Sequence, residues 1–199
     1  MFRLPRLPRR WNALATLALA PLALLATWAG GVFVGGNVHV IVAGQAYRSA
    51  QLAGWQLAGT LEHYRIRTVV NLRGANPGEA WFDRELVVSR EHGVGHVDFG
   101  LSAGEELSDE QLDALAALLR AVPKPVLIHC AGGADRTGLA AAVYRYAIEH
   151  VPSDTAAAEL SFRFGHLPWL VARTRAMDRS FDRYMALARA FEHAPAPGG

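Results

Sequence analysis

Two stretches of the chain differ in how hydrophobic and polar positions are patterned. Positions 11–47 contain no Asp, Glu, Lys or Arg, and Ala13–Val34 is an almost purely apolar run. Its length matches the ~20 residues a helix needs to cross a bilayer. Pro21 and the Gly30-Gly31 pair are tolerated in a membrane helix. A core helix of a small domain would keep a polar face, so the pattern predicts one N-terminal transmembrane helix within residues 1–44. From Val38 onward the pattern alternates. Residues 38–42, 67–72, 95–101 and 126–128 read as strands, and 51–64 and 78–92 as helices. Ser108 with Gln111 three residues later forms a capping-box pattern, followed by Leu112, Leu115, Ala116 and Leu119 at helical spacing. Val126-Leu127-Ile128 is short, apolar and continuous, as in a strand covered on both faces. Further helices are expected over 136–149, 153–163 and 168–191. The last carries a core-packing stripe of Leu170, Met177, Phe181, Tyr184, Ala188 and Phe191. Strands alternating with helices predict an α/β fold over residues 45–193, a central mostly parallel sheet flanked by helices. The Pro/Gly-rich tail at 194–199 is expected to be disordered.

Composition changes the picture at three points. The 199 residues are 51% hydrophobic and 19% charged, which excludes a disordered chain. The formal charge is +2, but Arg3, Arg6, Arg9 and Arg10 all stand in the leader, and residues 11–199 carry 16 basic against 18 acidic side chains. A basic nucleic-acid-binding domain is therefore excluded as a partner surface. The four arginines instead orient the apolar segment, placing the following domain on the extracytoplasmic side, the periplasm in a bacterium. The alternative is a signal peptide cleaved near Ala18-Leu19-Ala20, giving a secreted protein. The single cysteine, Cys130, excludes an intramolecular disulfide framework and a multi-thiolate metal site.

That cysteine carries the candidate chemistry. It ends the buried strand, and Ala131, Gly132, Gly133, Ala134 and Asp135 separate it from Arg136, which Thr137 follows as a helix begins. A tight strand-to-helix loop turns backbone N–H groups inward as an anion nest, and the helix N-terminus adds partial positive charge. Arg136 presents a planar fork suited to two phosphate oxygens. The same field favours a thiolate, placed for in-line attack on a bound phosphate.

This Cys-x5-Arg-Thr loop, preceded by His129, resembles the signature of the protein tyrosine phosphatase superfamily. Together with Ala46–Gln51 and Val69-Val70-Asn71-Leu72-Arg73 it is similar to bacterial members of the compact dual-specificity class, over roughly residues 44–190. The resemblance implies Cys130 as the nucleophile that forms a phosphocysteine, Arg136 as the phosphate clamp, and Thr137 as a hydrogen-bond donor to sulfur. It implies backbone amides of 131–135 around the phosphate, with neither metal nor cofactor. The family's general acid is usually an Asp on the loop before the nucleophile strand. Here that loop, Ser102–Leu107, has no Asp, so Glu106 is the first choice, with Glu105 and Asp98 as alternatives. Asp135 is expected either to orient Arg73 or Arg136 by a salt bridge or to stand simply as an acid at a helix start. His129 is expected to support the loop by hydrogen bonding. The loop interior lacks the lysines common in relatives acting on highly phosphorylated inositol lipids. Phosphotyrosine, phosphoserine/threonine or a small monoester is therefore the expected substrate. Two rival readings are a rhodanese-like sulfurtransferase or Cdc25-like relative, and a non-catalytic phosphate-binding envelope protein.

Overall fold

The computed structural model describes residues 19–21, 23–31 and 34–193, with the backbone alone for 190–193. Arg3, Arg6, Arg9, Arg10, the first part of the apolar run and the 194–199 tail lie outside the described residues. The described positions between 19 and 31 are helical (α1). Among the described residues no helix is long and apolar enough to cross a membrane. The predicted spanning segment lies partly outside them.

Five strands form one sheet in the order β1-β2-β5-β3-β4: β1 His39–Val42, β2 Ala46–Ser49, β3 Thr68–Asn71, β4 Gly95–Asp98 and β5 Val126–His129. Only the β1–β2 hairpin is antiparallel; β2, β5, β3 and β4 run parallel. The expected mostly parallel sheet is present, with β2 as a strand that the periodicity did not show. Helices cover both faces, as parallel sheets require. On one side Leu127, Val69 and Tyr47 pack with Leu57 and Leu61 of α2 (Gly54–His63) and Val88 of α3 (Ala80–Glu91). On the other, Ile128, Val70 and Cys130 pack with α4 (Asp109–Ala121), α5 (Asp135–Ala147) and α7 (Arg175–His193). The capping box is formed: Ser108 Oγ accepts from Gln111 N, and Gln111 Oε1 accepts from Ser108 N.

The predicted helix over 153–163 is cut short. Helix α6 covers only Ser153–Ala157, and a 3-10 turn follows at Phe162–Phe164. At 159–160 the chain closes on Gly138 of α5, where a Cβ would stand 2.9 Å from Leu160 Cδ2 and 3.1 Å from the Glu159 carbonyl. The predicted 168–191 helix starts only at Arg175, after a second 3-10 turn, Ala172–Thr174. Met177, Phe181 and Tyr184 do face the core, whereas Leu170 precedes the helix and is 68% exposed.

The parallel register lines up Ser49, His129, Asn71 and Asp98 in one row across the carboxyl ends of the strands. Open α/β sheets bind ligands beyond this edge, and the Cys130 loop begins one residue past it.

Candidate active site

Cys130 follows β5 directly and is 3% exposed. The next four residues turn back into α5, and the turn depends on Gly133. Its φ is +69°, and a Cβ there would meet Ala50 N and Ser49 C at 2.6 Å. Only glycine fits both the left-handed backbone and that approach to the end of β2. Thr137 is fully buried in the first turn of α5.

Arg136 is aimed by the sheet edge. Its Nη1 donates to the carbonyls of Leu72 (3.3 Å) and Leu101 (3.1 Å), which follow β3 and β4. Arg136 Nε and Thr137 Oγ1 are buried and make no hydrogen bond to described protein groups. Buried donors of this kind are energetically costly unless something accepts from them. An anion over the loop would do so, and a guanidinium held through one Nη keeps the rest of its fork for oxygens.

The loop is braced from several sides by residues far away in sequence. Arg48 of β2 is wholly buried. Its Nη2 donates to the Gly133 carbonyl (3.0 Å), and Nη1 to Glu159 Oε2 (2.6 Å) and the Glu159 carbonyl (2.9 Å). The Phe164 ring lies 3.8 Å from its guanidinium carbon. Asn37 Nδ2 donates to the carbonyls of Gly132 (3.0 Å) and Phe164 (2.8 Å). Gln51 N donates to the Ala131 carbonyl (3.1 Å).

A buried polar network lies beside the nucleophile. Glu85 of α3 is 3% exposed, and its Oε1 meets His129 Nε2 at 3.0 Å and His96 Nε2 at 2.8 Å. Gln51 Nε2 donates to Glu85 Oε2, and Gln51 Oε1 accepts from Arg73 Nη1 at 3.0 Å. Burial opposes ionisation of Glu85, but the hydrogen bonds from His129 and His96 prevail and hold its pKa at about 2. The hydrogen bond of His129 thus goes to α3, not to the loop itself. Arg73 stacks 3.4 Å over the Trp81 ring. Burial, and then the nearby Arg136 charge, lower its pKa.

Asp135 is paired with neither Arg73 nor Arg136. It is the first residue of α5, and its Oδ1 meets Nδ1 of the buried His166 at 2.7 Å. His166 Nε2 reaches Asp178 of α7 at 3.1 Å. Burial disfavours the charged imidazole, but the two carboxylates outweigh it and raise the His166 pKa. The Asp135 side chain thus anchors the loop's far end to α7 through His166.

The candidate acids stand on the next loop. Glu105 and Glu106 are exposed, and Glu106 Oε1 accepts from Arg179 Nε of α7. Asp98 ends β4, and its Oδ1 accepts from Asn71 Nδ2 at 2.7 Å. It lies on the same strand face as His96, opposite Val97, which packs against the main core. Sequence reasoning gave no role to Arg48, Glu85, Gln51, Asn37 or His166. One signal was present: Glu85 shares the buried stripe of α3 with Phe82 and Val88, and an acid on an apolar stripe needs a partner.

Residues 30–161 match the family described as "Tyrosine phosphatase family". The chain belongs to the tyrosine phosphatase family. Membership makes the chain a cysteine phosphatase of tyrosine-phosphatase type. Among solved structures it is similar to TpbA from P. aeruginosa, at 25% identity and a TM-score of 0.59 over 79% of this chain and 94% of that one. A variant of TpbA in complex with phosphotyrosine gives 23% identity and a TM-score of 0.61 over 80% and 93%. The catalytic core of the PP-IP phosphatase SIW14 from S. cerevisiae shares the fold at 21% identity and a TM-score of 0.57 over 80% and 94%. No curated protein matches the chain.

Proposed function

We propose that this tyrosine phosphatase family member hydrolyses phosphotyrosine or phosphoserine/threonine monoesters through a phosphocysteine on Cys130, with dual specificity and no metal. In the first step Cys130 Sγ bonds to phosphorus as the ester P–O bond breaks, and a carboxylic acid delivers its proton to the departing oxygen. In the second, water attacks phosphorus, the same carboxylate takes its proton, and the S–P bond breaks to release phosphate. Arg136 and the 131–135 amides stabilise charge on the equatorial oxygens, and Thr137 donates to the leaving sulfur. The observation that carries this reading is the pair of buried donors without a hydrogen bond to described protein groups, Arg136 Nε and Thr137 Oγ1, at the far end of the loop that begins at Cys130. The phosphotyrosine bound by the TpbA variant supports an aryl monoester as the first substrate to try.

Glu106 is assigned the acid, with Asp98 as its rival. The Arg179 pairing does not remove Glu106 from consideration, because exposed ion pairs contribute at most about 1 kcal/mol. The leader arginines and the uncharged run 11–47 support a membrane tether with the domain on the extracytoplasmic side. The deciding experiment is hydrolysis of an aryl phosphate by the full chain in a chelator, beside Cys130→Ser. Turnover that vanishes in the variant, while phosphotyrosine binding persists, is expected. Turnover that survives the substitution, or none in the parent chain, overturns the reading.

A further inference from the structure

One apolar face takes no part in the site. Phe162, Trp169 and Leu170 are 68%, 70% and 68% exposed. Large apolar side chains exposed singly need no explanation, but these three gather on the segment between α6 and α7. There, with Leu25 and Trp28 of α1, they line one cavity of about 470 Å³. Trp28 Nε1 donates to the Arg163 carbonyl at 3.3 Å, which seats α1 against this segment. Leu24 and Leu25 are themselves exposed. The patch therefore continues the apolar surface of the N-terminal run instead of standing apart from it.

Its charge is one-sided. From Ser161 to Met177 the chain carries Arg163, Arg173 and Arg175, all exposed, and no Asp or Glu. Trp and Phe among aliphatic side chains, on a segment that carries exposed arginines and no acid between Ser161 and Met177, match the chemistry of a bilayer interface. Aromatic rings settle at headgroup level, apolar side chains reach the acyl boundary, and arginines meet anionic phosphates.

We infer that this face docks on an anionic bilayer surface, with Phe162, Trp169 and Leu170 inserted and the three arginines among the headgroups. The inference rests on the tether reading above and adds a second contact that orients the domain. The orientation reaches the catalytic loop, because Asn37 bonds both Phe164 and Gly132, and His166 bonds Asp135.

Because Cys130 is the only cysteine, the full chain can be labelled at one place. An environment-sensitive fluorophore is attached in a Cys130→Ser background at Leu170→Cys, and separately at Val87→Cys, an exposed control on α3. Each protein is reconstituted with phosphatidylcholine vesicles with or without phosphatidylglycerol. The expected result is a several-fold emission rise with a blue shift at 170 in anionic vesicles, a much smaller one in zwitterionic vesicles, and none at 87. The rise at 170 should also shrink several-fold when Arg163, Arg173 and Arg175 are all changed to Gln. If the chain floats with vesicles while the label at 170 stays in water, the docking inference is overturned and the tether stands. A label already shielded before vesicles are added means that residues 1–18 or a second copy cover the face, and this overturns it too. If the chain does not associate with vesicles at all, tether and docking fall together.

Discussion

The loop from Cys130 to Ala134 and the loop from Phe99 to Leu107 leave the same sheet edge, yet their surroundings are opposite. The first is held by Arg48, Asn37 and Gln51 through its carbonyls, and by His166 through Asp135. The second carries its carboxylates on the surface, with Glu106 in an exposed pair with Arg179. On the proposed function, the physical difference lies in what each must do. Holding a dianion requires donors that are fixed before it arrives, because reorganising them during the reaction would raise the barrier. Delivering a proton requires only that one carboxyl come within reach of the leaving oxygen in the complex. On that reading the bracing is concentrated where charge would be bound.

Substitutions can break this contrast, and the largest effect is expected in the first loop. Arg136→Lys keeps the charge but loses the fork, and kcat/KM should fall about 10³-fold for aryl and alkyl phosphates alike. A loss confined to one substrate class would mean that Arg136 is not the clamp. Arg48→Met tests the bracing. It leaves Glu159 and the Gly133 carbonyl without their partner, so unfolding free energy should drop by about 3–5 kcal/mol, and activity on remaining folded protein by about 10²-fold. Full activity in the folded fraction would show that the loop holds its shape without Arg48.

The Glu85 network should be visible in acid. Its depressed pKa contributes stability that is complete above the unfolded value of 4.5 and is lost as pH falls through about 2. That difference corresponds to about 3 kcal/mol. Urea unfolding between pH 6 and pH 2 should therefore decline more steeply for the parent chain than for Glu85→Gln, and parallel slopes would contradict the network's role. In the second loop Glu106→Gln should spare an aryl phosphate with a good leaving group and slow an alkyl phosphate about 10²-fold. If Asp98→Asn shows that selectivity instead, the acid is Asp98. The smallest effect is expected at His166, whose raised pKa contributes stability that is complete below 6.5 and declines as pH rises through the folded value. In His166→Gln the fall in melting temperature above neutral pH should flatten.

The strand-to-helix loop at Cys130 was legible because its elements are contiguous. Strand, cysteine, glycines, arginine, hydroxyl and helix start all lie within Val126–Gly138, so local rules sufficed. The same holds for the Ser108 cap and for the two-faced burial of β5. Elements shaped by distant contacts were read less well. Strand β2 has four buried residues including an arginine, so it shows no period. The 153–163 helix looked continuous, but Arg48 binds the Glu159 carbonyl, and the chain there is pressed against Gly138. Leu170 was placed on a helical stripe that begins only after it.

By itself the sequence determined the candidate nucleophile and clamp, the alternation of strands and helices, and the location of the positive charge in the leader. Each depends on neighbours within about one turn or one strand, where sequence spacing is already spatial spacing. Only the tertiary structure decided what holds that loop in shape. Arg48 and Glu159 are 111 positions apart, Glu85 and His129 are 44 apart, and His166 and Asp135 are 31 apart. Such pairs are chosen by the packing of helices on a sheet, because a buried charge must find its partner wherever the fold brings one.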